Sequence, residues 1–232
     1  MRLIITRPQI DAAPLTQKLA ALGHTAVIMP ILDIVPRLNV AIPHLPYQAI
    51  CLTSANGMRC LTGELNRHIP VYAVGEQSAS IARALGFHNV EAEGGDVDGL
   101  VSHIVTKLKP SEGPLLYLSG AETASDLEGQ LQKRGFDVTR VITYDALKCS
   151  LDKHLNAIAS CHGVLLYSPR SAKLWCQEIQ RLQLRLVAEQ LHYFCLSDQV
   201  AKVLPQNWHR FVAKVPTEKS LLALLDLTNE AE

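Results

Sequence analysis

Two features are missing from this sequence: a surplus of one charge sign and a long apolar run at the N-terminus. Its 22 lysines and arginines balance 22 aspartates and glutamates, so the formal net charge is zero. A balanced chain gives no reason to expect nucleic acid or an acidic membrane surface as a partner. The first apolar run stops at Arg7 and Pro8, which is too short for a signal peptide or a membrane-spanning helix. We therefore expect a cytoplasmic protein with no membrane partner.

Cysteine and histidine motifs are also absent. The six cysteines contain no C-x-x-C pair, and the nine histidines contain no H-x-x-x-H spacing. We interpret the cysteines as reduced and mostly buried small apolar residues. We expect no metal site and no cofactor.

Nucleotide-binding and hydrolase motifs are missing as well. The sequence has no G-x-G-x-x-G, no G-x-x-x-x-G-K-[ST] and no G-x-S-x-G. Dinucleotide binding, nucleotide-triphosphate hydrolysis and acyl-transfer chemistry at a nucleophile elbow are therefore disfavoured. A response-regulator-like domain is disfavoured because the first strand ends in Thr6, Arg7 and Pro8 rather than in paired carboxylates.

The sequence does contain a long alternation of apolar strands and amphipathic helices. Hydrophobic residues make up 48% of the 232 residues, which is ample for one large or two modest domains. Strands that alternate with helices predict a parallel, doubly wound α/β sheet. The proline-rich segment Asp33–Pro46 interrupts this rhythm, and we interpret it as an extended linker or edge strand at a domain boundary.

The stretch Val71–Phe87 combines a buried strand, a glycine and an amphipathic helix without a spacer. Gly75 is expected to permit a tight reversal and close approach of a ligand to the main chain. The helix that follows would present unpaired N–H groups and the positive end of its dipole. Carboxylates and phosphates bind readily at such a position.

The same strand, turn and helix pattern occurs four more times, and we expect these turns to line a cleft for an anionic ligand. The stretches, with their turn residues, are Ala49–Leu61 (Thr53 and Ser54), Leu115–Leu127 (Ser119 and Gly120), Gly163–Cys176 (Ser168) and His192–Leu204 (Ser197).

Arg7 is a cation at the end of the first strand. Loops at the carboxyl ends of parallel strands are where ligand sites form in such folds, so Arg7 is a candidate substrate-binding residue. The alternative is a solvated loop arginine.

Several motifs together resemble the uroporphyrinogen-III synthase family. They are IITRP, IMPILDIVP, LTSANGMRCL, VYAVGEQSASIARALGF, LLYLSG, VITYDAL and LLYSPRSAKL. The resemblance covers nearly the full chain. It implies a lyase of tetrapyrrole biosynthesis that needs no cofactor and cyclises the linear tetrapyrrole hydroxymethylbilane, with loss of water and inversion of ring D. It also implies a monomer with transient contact to the preceding pathway enzyme.

The fold implied by the resemblance consists of two similar flavodoxin-like, doubly wound parallel-sheet domains. Domain 1 would be discontinuous, with residues 1–34 and 149–232, and domain 2 would comprise residues 38–143. A two-stranded β connector of residues 33–37 and 144–148 would join them.

The resemblance also implies site residues. Tyr144 would be the catalytic residue that assists departure of the substrate hydroxyl, and the alternative is an interface aromatic with a hydrated hydroxyl. Ser78 matches a threonine or serine of the family, although N-capping of its helix would explain it equally well. The full substrate-binding set is Arg7, Thr53, Ser54, Gly75, Ser78, Ser119, Gly120, Ser168 and Ser197.

A different class of protein stays open at this point. Two α/β lobes about a hinge also describe a non-catalytic small-molecule-binding or regulatory module. An assay for isomer III made from hydroxymethylbilane discriminates the two.

Overall fold

The computed structural model describes residues 1–93 and 95–227. The chain forms two compact units, one from residues 1–33 and 147–232 and the other from residues 34–146. The first unit is thus built from both ends of the chain, and the second is continuous. The two-stranded connector of residues 33–37 and 144–148 stays a prediction.

The strands of both units are short, with one exception near residue 140. In chain order they are β1 Arg2–Ile5, β2 Thr25–Ile28, β3 Leu32–Pro36, β4 Ala49–Leu52, β5 Val71–Ala73, β6 Val90–Ala92, β7 Leu115–Gly120, β8 Val138–Lys148, β9 Gly163–Leu166, β10 His192–Cys195 and β11 His209–Val212.

Helices connect most of these strands. In chain order they are α1 Gln9–Ala21, α2 Ala55–Arg59, α3 Glu76–Ala84, α4 Val97–Lys107, α5 Leu127–Gln132, α6 Leu155–Ala159, α7 Pro169–Arg181, α8 Arg185–Glu189, α9 Asp198–Ala201, α10 Glu218–Leu222 and α11 Leu224–Leu227.

The sheet of the first unit has the strand order β11-β10-β9-β1-β2, and its neighbouring strands pair in parallel. Numbered 1 to 5 along the chain within the unit and read from the β2 edge, this order is 2-1-3-4-5, which is the flavodoxin-like arrangement. The direction of winding reverses between β1 and β9. Ligands bind outside the carboxyl ends of the strands at such a switch point.

The sheet of the second unit has the order β3-β8-β7-β4-β5-β6. The pairs formed by β4 with β5 and β7, by β5 with β6, and by β7 with β8 are parallel. If β4 to β8 are numbered 1 to 5 and the sheet is read from the β6 edge, the order of these five strands is 3-2-1-4-5, and β3 lies beyond β8. This is the Rossmann-type arrangement, with its switch point between β4 and β7. The predicted doubly wound parallel sheets are confirmed, and the second unit differs from the first in strand order.

Both faces of the second sheet are buried. Ile50, Leu52 and Leu116 belong to the core on one face, whereas Cys51 and Leu115 belong to the core on the other. Alternate residues of a strand point to opposite faces, so a strand covered on both sides is a continuous apolar run. This explains why the strands were readable from the sequence.

Some helices are shorter than their sequence stretches suggested. The helix in Ala49–Leu61 ends at Arg59, with Cys60 as its C-cap. In the stretch after β7, Asp126 accepts a hydrogen bond from the Gly129 N–H (2.8 Å) and caps α5, which therefore begins at Leu127. The sequence that follows α2 includes Gly63, a weak helix former.

Candidate functional site

The candidate binding residues lie at or just after the carboxyl ends of strands, apart from Ser78, which lies within α3. Ser119 and Gly120 were predicted to form a turn, but they are the last two residues of β7. Because these strands are parallel, their carboxyl ends lie at the same edge of their own sheet. In the second unit these residues are Thr53, Ser54, Gly75, Ser78, Ser119 and Gly120; in the first unit they are Arg7, Ser168 and Ser197.

A polar network lies at the switch point between β4 and β7. The hydroxyls of Thr53 and Tyr117 are hydrogen-bonded at 2.9 Å. Arg140 on β8 donates from Nε to the Ser119 hydroxyl (2.9 Å) and from Nη2 to the carbonyl oxygens of Gly120 (2.9 Å) and Ala121 (3.0 Å). The end of β7 is thus fixed by a guanidinium from the neighbouring strand.

A β-bulge places Tyr144 beside the end of β7. Ser119 pairs with Ile142, but the next residue, Gly120, pairs with Tyr144, so Thr143 is the extra residue on β8. Such a bulge re-aims the side chains that follow it. A Cβ at Gly120 would lie 2.7 Å from Cζ of the Tyr144 ring, which shows that the ring packs directly on the glycine. Only 7% of Tyr144 is exposed.

The extra residue, Thr143, is completely buried and holds the bulge in place. Its hydroxyl donates to the Gly57 carbonyl oxygen at 2.9 Å and lies 3.4 Å from the Ser119 carbonyl oxygen. A Cβ at Gly57 would overlap the Leu118 carbonyl oxygen, so α2 lies against the main chain of β7. The small residue of α2 and the hydroxyl of β8 together support the end of β7.

Gly75 and Ser78 occupy the start of α3. Gly75 is the N-cap, with φ −150° and ψ 162°, an extended conformation that any residue can adopt. The chain therefore makes its turn at Gly75 without using the conformational freedom of a glycine. A Cβ at Gly75 would meet no atom within 4 Å, so the main chain is open to a ligand there. Ser78 is the third residue of the helix and is not its cap.

Three serine residues begin helices in the two units. The hydroxyl of Ser168 accepts from the Ser171 N–H (3.1 Å) at the start of α7, and that of Ser54 accepts from the Asn56 N–H (3.2 Å) at the start of α2. Ser197 is the N-cap of α9 without a side-chain capping bond. The turns that contain them therefore have the predicted strand-to-helix form.

Arg7 lies at the switch point of the first unit and is enclosed by acidic and aromatic groups. Its Nη1 lies 3.1 Å from Glu218 Oε2, and its Nη2 lies 3.5 Å from Asp11 Oδ2. The guanidinium also covers the Tyr167 ring, 4.5 Å from the ring centroid. The carboxylates balance the charge of Arg7, so its predicted role in binding substrate has to compete with these ion pairs and stays a prediction.

Two tyrosines beside the switch points, the buried Tyr117 and the partly buried Tyr167, keep their protons. Burial raises the pKa of Tyr117, although the Thr53 hydrogen bond and Arg140 oppose the rise. Burial also raises the pKa of Tyr167, reinforced by Glu218 and opposed by Arg7. Both side chains are therefore neutral hydroxyl groups near pH 7.

The six cysteines are all free, and Cys51, Cys60, Cys161 and Cys195 are buried. Within residues 1–93 and 95–227, no group of three or more His, Cys, Asp and Glu side chains is arranged to hold a metal ion. No helix in the same part of the chain is both long enough and apolar enough to cross a membrane.

Sequence reasoning missed three residues that shape this site: Arg140, Thr143 and Gly57. Arg140 and Thr143 lie in the stretch VTRVITYD, where polar residues interrupt an otherwise apolar strand. That interruption was the available signal, because a charged residue between two buried strand positions needs a reason to be there. The bulge and the close approach at Gly57 had no such signal.

Two doubly wound α/β units, each with hydroxyl and main-chain groups at the carboxyl ends of its strands, define the class of small-molecule-binding α/β proteins. The family model for uroporphyrinogen-III synthase matches residues 13–223, which is most of the chain. The chain belongs to the uroporphyrinogen-III synthase family, whose members are cofactor-independent cyclising lyases.

Solved structures show the same fold. The uroporphyrinogen-III synthetase of Helicobacter pylori 26695 is 20% identical, with a TM-score of 0.67 and coverage of 98% of this chain and 100% of that chain. A mutant uroporphyrinogen III synthase of the extremely thermophilic bacterium Thermus thermophilus is 14% identical, with a TM-score of 0.59 and full coverage of both chains. Comparison with curated proteins gave no match.

Proposed function

We propose that this chain performs the reaction of its family with Tyr144 as the catalytic residue and with the turns after the strands as carboxylate-binding groups. The reaction is the cyclisation of hydroxymethylbilane to uroporphyrinogen III in haem biosynthesis. The observation that carries the proposal is the match to the family over residues 13–223, which includes Tyr144 and every proposed binding turn from Thr53 to Ser197.

The chemistry requires control of conformation more than a strong acid or base. Loss of the substrate hydroxyl gives an electrophilic azafulvene, which closes spontaneously to the isomer without inversion. The inverted isomer requires attack by the substituted position of ring D to give a spiro intermediate, which reopens and then recloses with ring D inverted. A protein that holds the acetate and propionate groups in one pose can favour this attack.

Tyr144 is suited to assist departure of the hydroxyl. Its ring is held against Gly120, and the bulge at Thr143 sets its direction. A phenol can donate a hydrogen bond or a proton to the leaving oxygen without carrying a charge that would repel the substrate carboxylates. This supports a role in the loss of water that begins the reaction.

The binding turns can bind carboxylates by donating hydrogen bonds from main-chain N–H groups. At Gly75 the main chain is open, and the N-terminus of α3 lies directly behind it. The first N–H groups of a helix favour an anion through hydrogen bonds and through the helix dipole. Ser168 begins the longer helix α7 in a similar way, although its hydroxyl is already used for capping.

The test is an isomer assay on the purified protein. Freshly prepared hydroxymethylbilane is incubated with and without the protein, the products are oxidised, and uroporphyrins I and III are separated by chromatography. We expect isomer III with the protein and isomer I without it. If the protein binds the substrate but leaves only isomer I, the non-catalytic binding module is the correct description.

The proposal includes a cytoplasmic monomer that receives its substrate through transient contact with the preceding pathway enzyme. Rapid spontaneous closure of the free substrate supports such a transfer, because direct contact would shorten the time in solution. Light scattering after size-exclusion chromatography tests the monomer. Addition of excess inactive protein to a coupled assay tests the transfer, since it should compete and raise the share of isomer I.

A further inference from the structure

Arg140 is a partly buried cation at the switch point of the second unit, and no family motif led to it. It lies opposite Tyr117 in the pairing of β7 with β8, and its guanidinium carbon is 5.9 Å from the centre of the Tyr117 ring. From there the side chain reaches the end of β7, where it contacts Ser119, Gly120 and Ala121. It thus ends beside the residues that hold Tyr144.

The charge of Arg140 has no acidic partner in the part of the chain that the structure describes. Its Nε and Nη2 groups donate to a hydroxyl and two carbonyl oxygens, which are neutral acceptors. The Nη1 group has no acceptor among the described residues. By contrast, Arg37 forms a two-point ion pair with Asp145, with both N–O distances 2.8 Å.

A guanidinium that is partly removed from water without a counter-charge is less stable unless its N–H groups are satisfied. The three neutral acceptors fix the orientation of Arg140 but leave its positive charge and one amino group for another partner. A carboxylate would neutralise the positive charge and accept a hydrogen bond from the remaining amino group. The planar guanidinium of arginine suits the geometry of a carboxylate. The residue Ser119 is 1% exposed, and its hydroxyl strengthens this orientation by donating to the Gly120 carbonyl oxygen at 3.1 Å.

We propose that Arg140 binds a carboxylate of the substrate at the carboxyl end of β7. This inference rests on the proposed function for the identity of the substrate. It goes further in assigning a preformed cationic subsite to a residue of β8 rather than to a turn. Arg140 is a binding residue, and the hydrogen bonds from its guanidinium hold it ready for the anion before the substrate arrives.

The experiment compares Arg140→Gln and Arg140→Lys with the wild-type protein in the isomer assay. We expect Arg140→Gln to raise KM for hydroxymethylbilane roughly tenfold or more, as for loss of a charge-assisted hydrogen bond. The kcat for isomer III should change less. Arg140→Lys retains the charge and should recover part of the loss.

Ionic strength separates binding from a merely structural role. Added salt screens the attraction between Arg140 and a carboxylate, so kcat/KM of Arg140→Gln should depend less on salt than that of the wild type. The matched control is Arg210→Gln. Arg210 also donates to two carbonyl oxygens, those of Ala201 (3.4 Å) and Gln206 (3.3 Å), but lies on β11 of the first unit. Its substitution should leave KM and the salt dependence unchanged.

Failure of the proposed function and failure of the Arg140 subsite give different results. If the wild-type protein makes no isomer III, the proposed function fails. If the wild type is active and Arg140→Gln keeps its KM and salt dependence, the carboxylate subsite is wrong. Should both Arg140 variants fail to fold, phenylglyoxal labelling of the wild type replaces them. Bound uroporphyrinogen III should lower labelling of the Arg140 peptide, and equal labelling with and without it overturns the proposal.

Discussion

The arginines of this chain differ in whether a carboxylate neutralises their charge within the described residues. Arg7 and Arg181 both contact carboxylates, whereas Arg140 contacts neutral oxygens. Glu178 is the strongest case of a buried charge with partners. It is 1% exposed, and it accepts from Arg181 Nη2 (2.7 Å), Lys148 Nζ (2.7 Å) and the Leu151 N–H (3.1 Å).

Glu178 makes the stability of the protein depend on acid pH. Arg181 first, and then Lys148 and the Leu151 N–H, lower the pKa of Glu178 to about 2 against the opposing effect of burial. In the unfolded chain a glutamate titrates near pH ~4.3. The contribution is therefore present above that pH and is lost as the pH falls towards 2.

We predict that Glu178→Gln lowers the free energy of unfolding at pH 7 by about 1.5–3 kcal/mol, because the charge-assisted hydrogen bonds of Arg181 and Lys148 to the buried carboxylate are lost. The variant should also lose part of the decline in stability between about pH 4.3 and pH 2. Urea unfolding at several pH values measures both effects. Glu112→Gln is the control, since its pair with Lys109 is exposed and should contribute less than about 1 kcal/mol. An unchanged pH profile in Glu178→Gln would contradict the assignment.

At Tyr144 the hydroxyl is predicted to matter for the reaction and little for the fold. Tyr144→Phe should reduce the rate of isomer III formation about tenfold or more, because the leaving hydroxyl loses its donor. The isomer assay and urea unfolding measure the two effects. Tyr47→Phe is the matched control, because Tyr47 is also buried in the second unit and its hydroxyl has no hydrogen-bond partner among the described residues. Wild-type turnover in Tyr144→Phe would remove the catalytic role.

At the scale of secondary-structure elements, the end of β7 is where three elements meet. The helix α2 approaches it through Gly57, the strand β8 bulges beside it at Thr143, and the Arg140 side chain binds its last carbonyl oxygens. Together these contacts support the end of β7, where the Tyr144 ring packs on Gly120. Substitutions at this point should therefore affect activity before they affect the rest of the sheet.

Gly120→Ala tests this arrangement. The added methyl group would lie 2.7 Å from Cζ and 3.0 Å from the hydroxyl oxygen of Tyr144, so the tyrosine or the end of β7 has to move. We expect a loss of isomer III formation of about a hundredfold, as for a misplacement of reacting groups by about 1 Å, with a loss of stability of about 1–3 kcal/mol.

The control for Gly120→Ala is Gly99→Ala in α4. A Cβ at Gly99 would meet only an Asp96 carboxylate oxygen at 3.7 Å, which is an ordinary contact. That substitution should stabilise the protein by about 0.5–1 kcal/mol and leave isomer III formation unchanged. If Gly120→Ala were equally harmless, the packing of the Tyr144 ring on Gly120 would have no importance for the reaction.

At the scale of the whole molecule, the two units differ in how the chain forms them. The first needs both ends of the chain, whereas the second is continuous and has a core on each face of its sheet. A continuous unit with complete strand pairing contains everything that a domain needs to fold.

We predict that a fragment of residues 31–148, which retains β3 and β8 entire, folds on its own. Circular dichroism should show a mixed α/β spectrum and a cooperative urea transition. A fragment of residues 31–137 is the control, because it lacks β8 and exposes the edge of β7. It should lose cooperativity. A gradual, non-cooperative change in the longer fragment would show that the second unit depends on the rest of the chain.

The amino-acid sequence by itself determined the alternation of strands and helices, the doubly wound parallel sheets and the family. These follow from local chemistry: apolar runs such as Ala49–Leu52 form strands buried on both faces, and small polar residues such as Ser54 and Ser168 begin helices. Such signals depend on neighbours along the chain, so they are readable in order.

Only the tertiary structure decided which side chains meet. The strand order 3-2-1-4-5 in the second unit, the bulge at Thr143, the ring of Tyr144 on Gly120 and the reach of Arg140 to Ser119 join residues that are far apart in sequence or shifted in register. The physical reason is that packing across strands sets these contacts, and the sequence of a single strand carries no record of the register of its neighbour.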